Sequence, residues 1–191
     1  MAAELPEELR ARLAEAQASL KNLPLPVRWV KAEGIHLTFV FLGETEEARL
    51  EAITGALAVL EAGPPGPFSL AARGIGTFPP RGRPKVIWAG IEGDLLAAGR
   101  LKTALDAAFR PLGFQSEDRA FRPHLTLGRV TEGPATGDWR APLERFGATD
   151  FGAFVVDACL LFESRLSPAG ARYHALRRFP LPIDRATEER T

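Results

Sequence analysis

Residues 34–43 read GIHLTFVFLG and residues 124–130 read HLTLGRV, so the run His-Leu-Thr-apolar occurs twice, as His36-Leu37-Thr38-Phe39 and His124-Leu125-Thr126-Leu127. The chain has three histidines, and these two carry a threonine two places on; His174 does not. β-branched and aromatic residues around both runs predict strands. In a strand, residues i and i+2 point to one face and i+1 and i+3 to the other. Each run therefore sets an imidazole beside a hydroxyl on one face and two apolar anchors on the opposite one. A pattern found twice in one chain predicts two similar halves.

Working outward, Leu9, Leu13, Ala16 and Leu20 recur at helical spacing behind Glu7 and Glu8, which predicts a helix over residues 6–20. VRWVK (27–31) and GIHLTFVFLG are separated only by Glu33-Gly34 and read as an antiparallel hairpin. Thr45 is placed to cap a helix with Glu46 and Glu47 in its first turn, a stripe of Leu50, Ile53, Leu57 and Leu60, and an end at Gly63-Pro64-Pro65. PFSLAARGIGTF and KVIWAGI predict strands joined by PPRGRP, and Asp94 opens a helix carrying Leu101, Leu105, Ala108 and Leu112 that ends near Pro111 and Gly113. WRAPLERFG is at most a short helix. FGAFVVDACLLFESRL and ARYHALRRFPL read as a closing strand pair around Ser167-Pro168 and Gly170, and DRATEERT as a frayed tail. No linker divides the chain. The expected fold class is α+β and bilobal: two pseudo-symmetric antiparallel-sheet lobes faced by helices, with a central cleft, forming one domain over residues 1–191.

Composition narrows the function classes. The 24 basic and 24 acidic residues cancel, so no global field holds long nucleic acid, and a nucleic-acid substrate must be met by a local site. No segment approaches the ~20 apolar residues that span a bilayer, and the start lacks a basic and apolar leader. The lone Cys159 sits in an apolar run and is expected as a buried thiol, which excludes an internal disulfide and fits a reducing cytoplasm. Arginine far outnumbers lysine, and labile Asn, Gln, Cys and Met are scarce, which suits a thermophile as well as a GC-rich genome.

Two facing imidazoles with two hydroxyls beside them suit a phosphate diester. Displacement at phosphorus needs a base for the entering oxygen and an acid for the leaving one. Histidines, with pKa near ~6.5, supply one neutral and one protonated ring at neutral pH. Thr38 and Thr126 can donate to the non-bridging oxygens. No metal and no cofactor are called for, and neither histidine lies in a spacing that zinc would want.

These motifs resemble those of the 2H phosphoesterase superfamily and, within it, the LigT-like RNA 2′,3′-cyclic phosphodiesterases, also called the 2′-5′ RNA ligase family. RWVKAEGIHLTFVFLGE, GTFPPRGRPKVIWAGI, FRPHLTLGRV and LFESRLSPAGARYHAL follow in family order over roughly residues 27–180. The resemblance implies a cleft between lobes, hydrolysis of an RNA 2′,3′-cyclic phosphate to a 2′-phosphomonoester and, in some members, reversible 2′-5′ joining. It implies His36 as donor to the leaving 3′ oxygen, His124 as the base that activates water, Thr38 and Thr126 as phosphate ligands, and Arg129 as a further phosphate contact. Simple alternation from His124 turns Arg129 away from the cleft, so that role requires a bulge, which Gly128 permits.

The partners implied are RNA ends or nucleotide cyclic phosphates, with no membrane, and a monomer is the expected state. Small cyclic phosphates such as ADP-ribose 1″,2″-cyclic phosphate, and a non-catalytic module that binds RNA ends, are the competing readings. The basic loop Arg81-Gly82-Arg83-Pro84-Lys85 is a candidate lip for RNA phosphates, with a plain solvated turn as the alternative. Trp29 and Trp88 lie in apolar strands and are expected in the core, and His174 is assigned no catalytic role.

Overall fold

The computed structural model describes residues 1–58, 60, 63, 65–116, 120–133, 139–167 and 170–182. Strands β1 (Ala2–Ala3), β2 (Val27–Trp29), β3 (Leu37–Thr38), β4 (Phe68–Phe78), β5 (Val86–Gly93), β6 (His124–Val130), β7 (Asp150–Val156), β8 (Ala158–Ser167) and β9 (Gly170–Pro180) form one antiparallel sheet. Its order is β7-β4-β5-β6-β3-β1-β8-β9, with β2 also paired to β6. Among the described residues the helices include α1 (Glu7–Leu20), α2 (Leu50–Ala56), α3 (Leu95–Phe109) and α4 (Arg140–Glu144). Mixed helices and an open antiparallel sheet match the expected class. The two halves, β7-β4-β5-β6 and β3-β1-β8-β9, join where β3 meets β6 through the single registered pair Leu37↔Leu125.

Alternation makes the sheet two-faced. Leu37, Leu125, Leu127, Ile87, Ala89 and Leu70 are buried on one face, where they join Leu9, Leu13 and Leu20 of α1, Ile53 of α2, and Leu101, Leu105 and Phe109 of α3 in one core. Burying each such side chain contributes about 1.5–3 kcal/mol. The α1 stripe is buried as its spacing foretells, and Cys159 is fully enclosed, its thiol pushed up to about 12 chiefly by burial. The Asp94 carboxylate caps α3 by accepting from the Ala97 amide at 2.8 Å.

Several local expectations are corrected. VRWVK and GIHLTFVFLG do not form a hairpin: β2 and β3 lie end to end along the same edge of β6, both antiparallel to it. The 3-10 turn Ala32–Gly34, closed by the Gly34 amide on the Lys31 carbonyl at 2.8 Å, shifts the chain without reversing it. Thr45 does not cap α2. Its hydroxyl donates to the Gly43 carbonyl, and a 3-10 turn Glu47–Arg49 precedes the helix. α2 gives way at Leu57, and Pro64 of the expected stop lies outside the described residues. α3 ends at Phe109, and Leu112 sits in a 3-10 turn before Gly113, whose φ of 82° is the left-handed stop.

FGAFVVDACLLFESRL is not one strand. It divides at Asp157 into β7, which pairs with β4, and β8, which pairs with β1 and β9 at the other end of the sheet. Inward–outward alternation runs on through Val156, Asp157 and Ala158, so periodicity alone carries no mark of the break. Pro168 and the tail DRATEERT lie outside the described residues.

Candidate active site

The Leu37↔Leu125 pair fixes the geometry of both motifs. Antiparallel register places His36 across from Thr126 and Thr38 across from His124, one residue to either side. Directly opposed residues share a face, so all four polar side chains stand on the face opposite the leucines, in two adjacent rungs. Each rung holds one imidazole and one hydroxyl. A local two-fold axis between the leucines exchanges the motifs.

The two histidines are held alike. Nδ1–H of His36 donates to the carbonyl of Gly34 at 2.9 Å, and Nδ1–H of His124 to the carbonyl of Arg122 at 2.8 Å, each two residues upstream. A carbonyl accepts only, so Nδ1 carries the proton in both rings and Nε2 is left for the cleft. Each ring also meets an aromatic edge. Tyr173 stands T-shaped to His36 with centroids 4.5 Å apart, and Phe78 stands T-shaped to His124 at 5.1 Å. Phe162 stacks on His36 at 5.6 Å. The sequence named none of these aromatic walls, although Tyr173 and Phe162 lie in LFESRLSPAGARYHAL and Phe78 in GTFPP; pairing of β8 with β9 is what brings the first two to His36.

Burial pushes the pKa of His36 below its ordinary 6.5, the Gly34 carbonyl pulls it back up, and the nearby Met1 amine pushes it down again.

Arg129 reaches the same face through a bulge. On β5, Trp88 pairs with Thr126 but Ile87 pairs with Gly128, so β6 carries one extra residue at Leu127. Val86, two residues from Trp88 and on its face, then pairs with Arg129. The bulge thus returns Arg129 to the side of His124 and Thr126. The irregular Leu127 carbonyl is satisfied twice at depth, by the Val30 amide at 2.9 Å and by Nε2–H of Gln17 at 2.8 Å; the same Gln17 amide also donates to the Val30 carbonyl at 2.8 Å. Gly128 is needed there, because a Cβ would lie 2.6 Å from Val27 Cγ1 and 3.0 Å from Trp29 Cε3.

A cavity of about 900 Å³ opens from this face, bordered by Thr38, His124, Phe78, Lys85 and Val86 and reaching Phe41. His36, Thr126 and Arg129 stand outside its lining. Trp88 is half-buried rather than in the core: it lies beside Thr126, flat over Gly76 and 5.1 Å from Phe78. Trp29 is likewise half-buried, packed against the core. In the basic loop, Arg83 donates to the Thr131 carbonyl at 2.9 Å while Arg81 and Lys85 are exposed. His174 is exposed across from Glu163, and its neighbour Tyr173 is the β9 residue whose ring meets His36. Among the described residues no group of three or more His, Cys, Asp or Glu could hold a metal ion, and no helix is long and apolar enough to cross a membrane.

The family model for LigT like phosphoesterases matches residues 4–88 and 96–173. An RNA 2′,3′-cyclic phosphodiesterase of Methanothermobacter thermautotrophicus is 34% identical over 95% of this chain and 97% of its own length. Another, of Thermus thermophilus, is 35% identical over 97% of this chain and 90% of its own. The crystal structure of the Thermus thermophilus protein TT0787 superposes with a TM-score of 0.75 at 33% identity, covering 94% of this chain and 95% of that one. Escherichia coli LigT complexed with 3′-AMP, at 24% identity over 95% of this chain and 96% of its own, shares the fold with a TM-score of 0.74. With two matched motifs on one sheet face and a family match over nearly the whole length, the chain belongs to the LigT-like phosphoesterase family.

Proposed function

We propose that the protein hydrolyses 2′,3′-cyclic phosphates at RNA ends to 2′-phosphomonoesters by acid–base catalysis between His36 and His124, without a metal or cofactor. The observation that carries this reading is the Leu37↔Leu125 register, which faces two His-Thr pairs across one rung boundary. Nε2 of His124 takes a proton from water as its oxygen bonds to phosphorus. Nε2–H of His36 gives a proton to the 3′ oxygen as its bond to phosphorus breaks. The products are a 2′-phosphomonoester and a 3′-hydroxyl, and the imidazoles end with exchanged protonation. Thr38 and Thr126 hold the non-bridging oxygens, and Arg129 offsets their charge. Such donors act most strongly when aimed in advance at the developing charge, and the paired carbonyl bonds at Nδ1 aim the two imidazoles in the same way.

With a ribose 5′-hydroxyl in place of water as the entering group, the same proton path joins RNA ends through a 2′-5′ bond. The names of the relatives favour RNA cyclic phosphates over small cyclic phosphates, and two opposed imidazoles are more than binding alone requires. The whole chain acts as one bilobal domain in this proposal, as a cytoplasmic monomer. Incubation of an oligoribonucleotide ending in a 2′,3′-cyclic phosphate in excess EDTA, followed by phosphorus NMR, tests it. A 2′-phosphate product is expected. Loss of turnover on chelation, restored by a divalent ion, overturns the metal-free mechanism, and a 3′-phosphate product overturns the donor assignment.

A further inference from the structure

The two catalytic rungs are followed by a third. Arg28 of β2 pairs directly with Arg129 of β6. Their neighbours Val27 and Trp29 crowd Gly128 on the core side, so both arginines stand on the face that carries His36, Thr38, His124 and Thr126. The rungs run Thr38 with His124, His36 with Thr126, and Arg28 with Arg129. Thr126 and Arg129 are three residues apart, a span of roughly 7–10 Å along a bulged strand.

Like charges directly opposed on a sheet destabilise it. Arg12, Arg73, Arg165 and Arg178 each meet a carboxylate, whereas Arg28 and Arg129, both exposed, meet none among the described residues. The backbone beneath them is firmly held: the Thr131 amide and hydroxyl both donate to the Pro26 carbonyl, at 2.8 and 3.1 Å, and the Val30 amide to Leu127. Arg83, bonded to the Thr131 carbonyl, brings the basic loop to the same end of β6. A pair of opposed guanidinium forks that meet no carboxylate among the described residues matches a phosphate. In a chain of zero net charge, such local charge is what distinguishes a polyanion from a single nucleotide.

We propose that Arg28, set beside Arg129, which faces the reacting phosphate, binds the phosphodiester on the 5′ side of the terminal cyclic nucleotide, so that the protein selects RNA ends over free cyclic mononucleotides. This rests on the function proposed above, with Arg28 as the specificity-determining residue.

The test compares Arg28→Gln and Arg28→Lys with the parent on an oligoribonucleotide ending in a 2′,3′-cyclic phosphate and on cytidine 2′,3′-cyclic phosphate. Fluorescence anisotropy of a labelled oligoribonucleotide ending in a 2′-phosphate, across a salt series, gives binding apart from turnover. For Arg28→Gln, kcat/KM on the oligomer is expected to fall at least about tenfold more than on the mononucleotide, and the salt slope of binding to drop by about one. Arg28→Lys keeps the charge and should restore the slope. Equal losses on both substrates, or an unchanged slope, overturn the subsite. A parent enzyme that turns over neither substrate while Arg28→Gln still lowers the slope overturns the catalytic reading and upholds the subsite.

Discussion

Leu37 and Leu125, the middle residues of the two His-Leu-Thr motifs, are direct cross-strand partners, and both are wholly buried. One hydrophobic contact therefore sets the register of the His-Thr face. Because strand side chains alternate, a slip of one residue would bury a histidine and expose a leucine. The core thus enforces the order of the polar rungs. The same contact joins the two halves of the sheet, so the site lies at the seam and takes one motif from each.

The His36 pKa should respond to the substrate phosphate. Burial holds it below 6.5 in the free protein, and a bound phosphate anion favours the imidazolium and raises it. Nitrogen-15 shifts of the His36 imidazole across a pH series, with and without an oligoribonucleotide ending in a 2′-phosphate, measure the change. A value unchanged or lowered by the ligand would show that His36 does not face the phosphate.

Tyr173 walls His36 from solvent at 4.5 Å and also covers the turn at Gly34, where a Cβ would lie 3.4 Å from its ring. Since burial is the largest cause of the lowered pKa, Tyr173→Ala should raise the His36 pKa toward 6.5 as water enters. Nitrogen-15 shifts of the imidazole across a pH series measure it. An unchanged or lower value would show that the wall does not control His36.

Much of this site is legible in the sequence because chemistry and periodicity coincide there. His-Leu-Thr has the period of a strand, and its recurrence identified both rungs, while Gly128 marked the bulge that Arg129 needs. What the sequence withholds is which strands meet. Val156-Asp157-Ala158 keeps its alternation across a break that sends β7 and β8 to opposite ends of the sheet. Glu33-Gly34 has the residues of a tight turn but closes a 3-10 turn, leaving β2 and β3 end to end on β6. Phe162, Tyr173 and Phe78 take their roles from strand pairing, which no local pattern encodes. Gln17 shows the same limit: within α1 it reads as one more polar residue.

Gln17 is buried, and its amide bonds both Val30 and the bulged Leu127 carbonyl at 2.8 Å. Gln17→Met keeps the volume and removes both bonds, at a cost of about 1–3 kcal/mol. Tm should fall by roughly 2–4 °C for each kcal/mol in a chain of this size. Because the bulge aims Arg129, kcat/KM should fall too, with Arg129→Gln costing less in the Gln17→Met background than alone. Additive losses would show that Gln17 supports the fold without positioning Arg129.

The paired motifs make the last prediction, and it separates an enzyme from an RNA-end binder. Acid and base catalysis each contribute typically ~10² to 10⁴ in rate, so His36→Ala and His124→Ala should each lower kcat at least about a hundredfold. Both rings stand on the sheet face opposite the buried leucines, so neither loss opens the main core, and folding should survive. Thr38→Ala and Thr126→Ala should cost roughly tenfold each, since a hydrogen bond to a charged oxygen is worth about 1.5–3 kcal/mol and water replaces part of it. The double histidine variant should fall well short of the product of the single losses, because residues that act as a unit are not additive. His174, exposed and opposite Glu163, is the control, and His174→Ala should stay within a few-fold of the parent. If either motif histidine can be removed with kcat intact, or if His174 matters as much as the other two, the rungs do not carry the chemistry and the face is a binding surface.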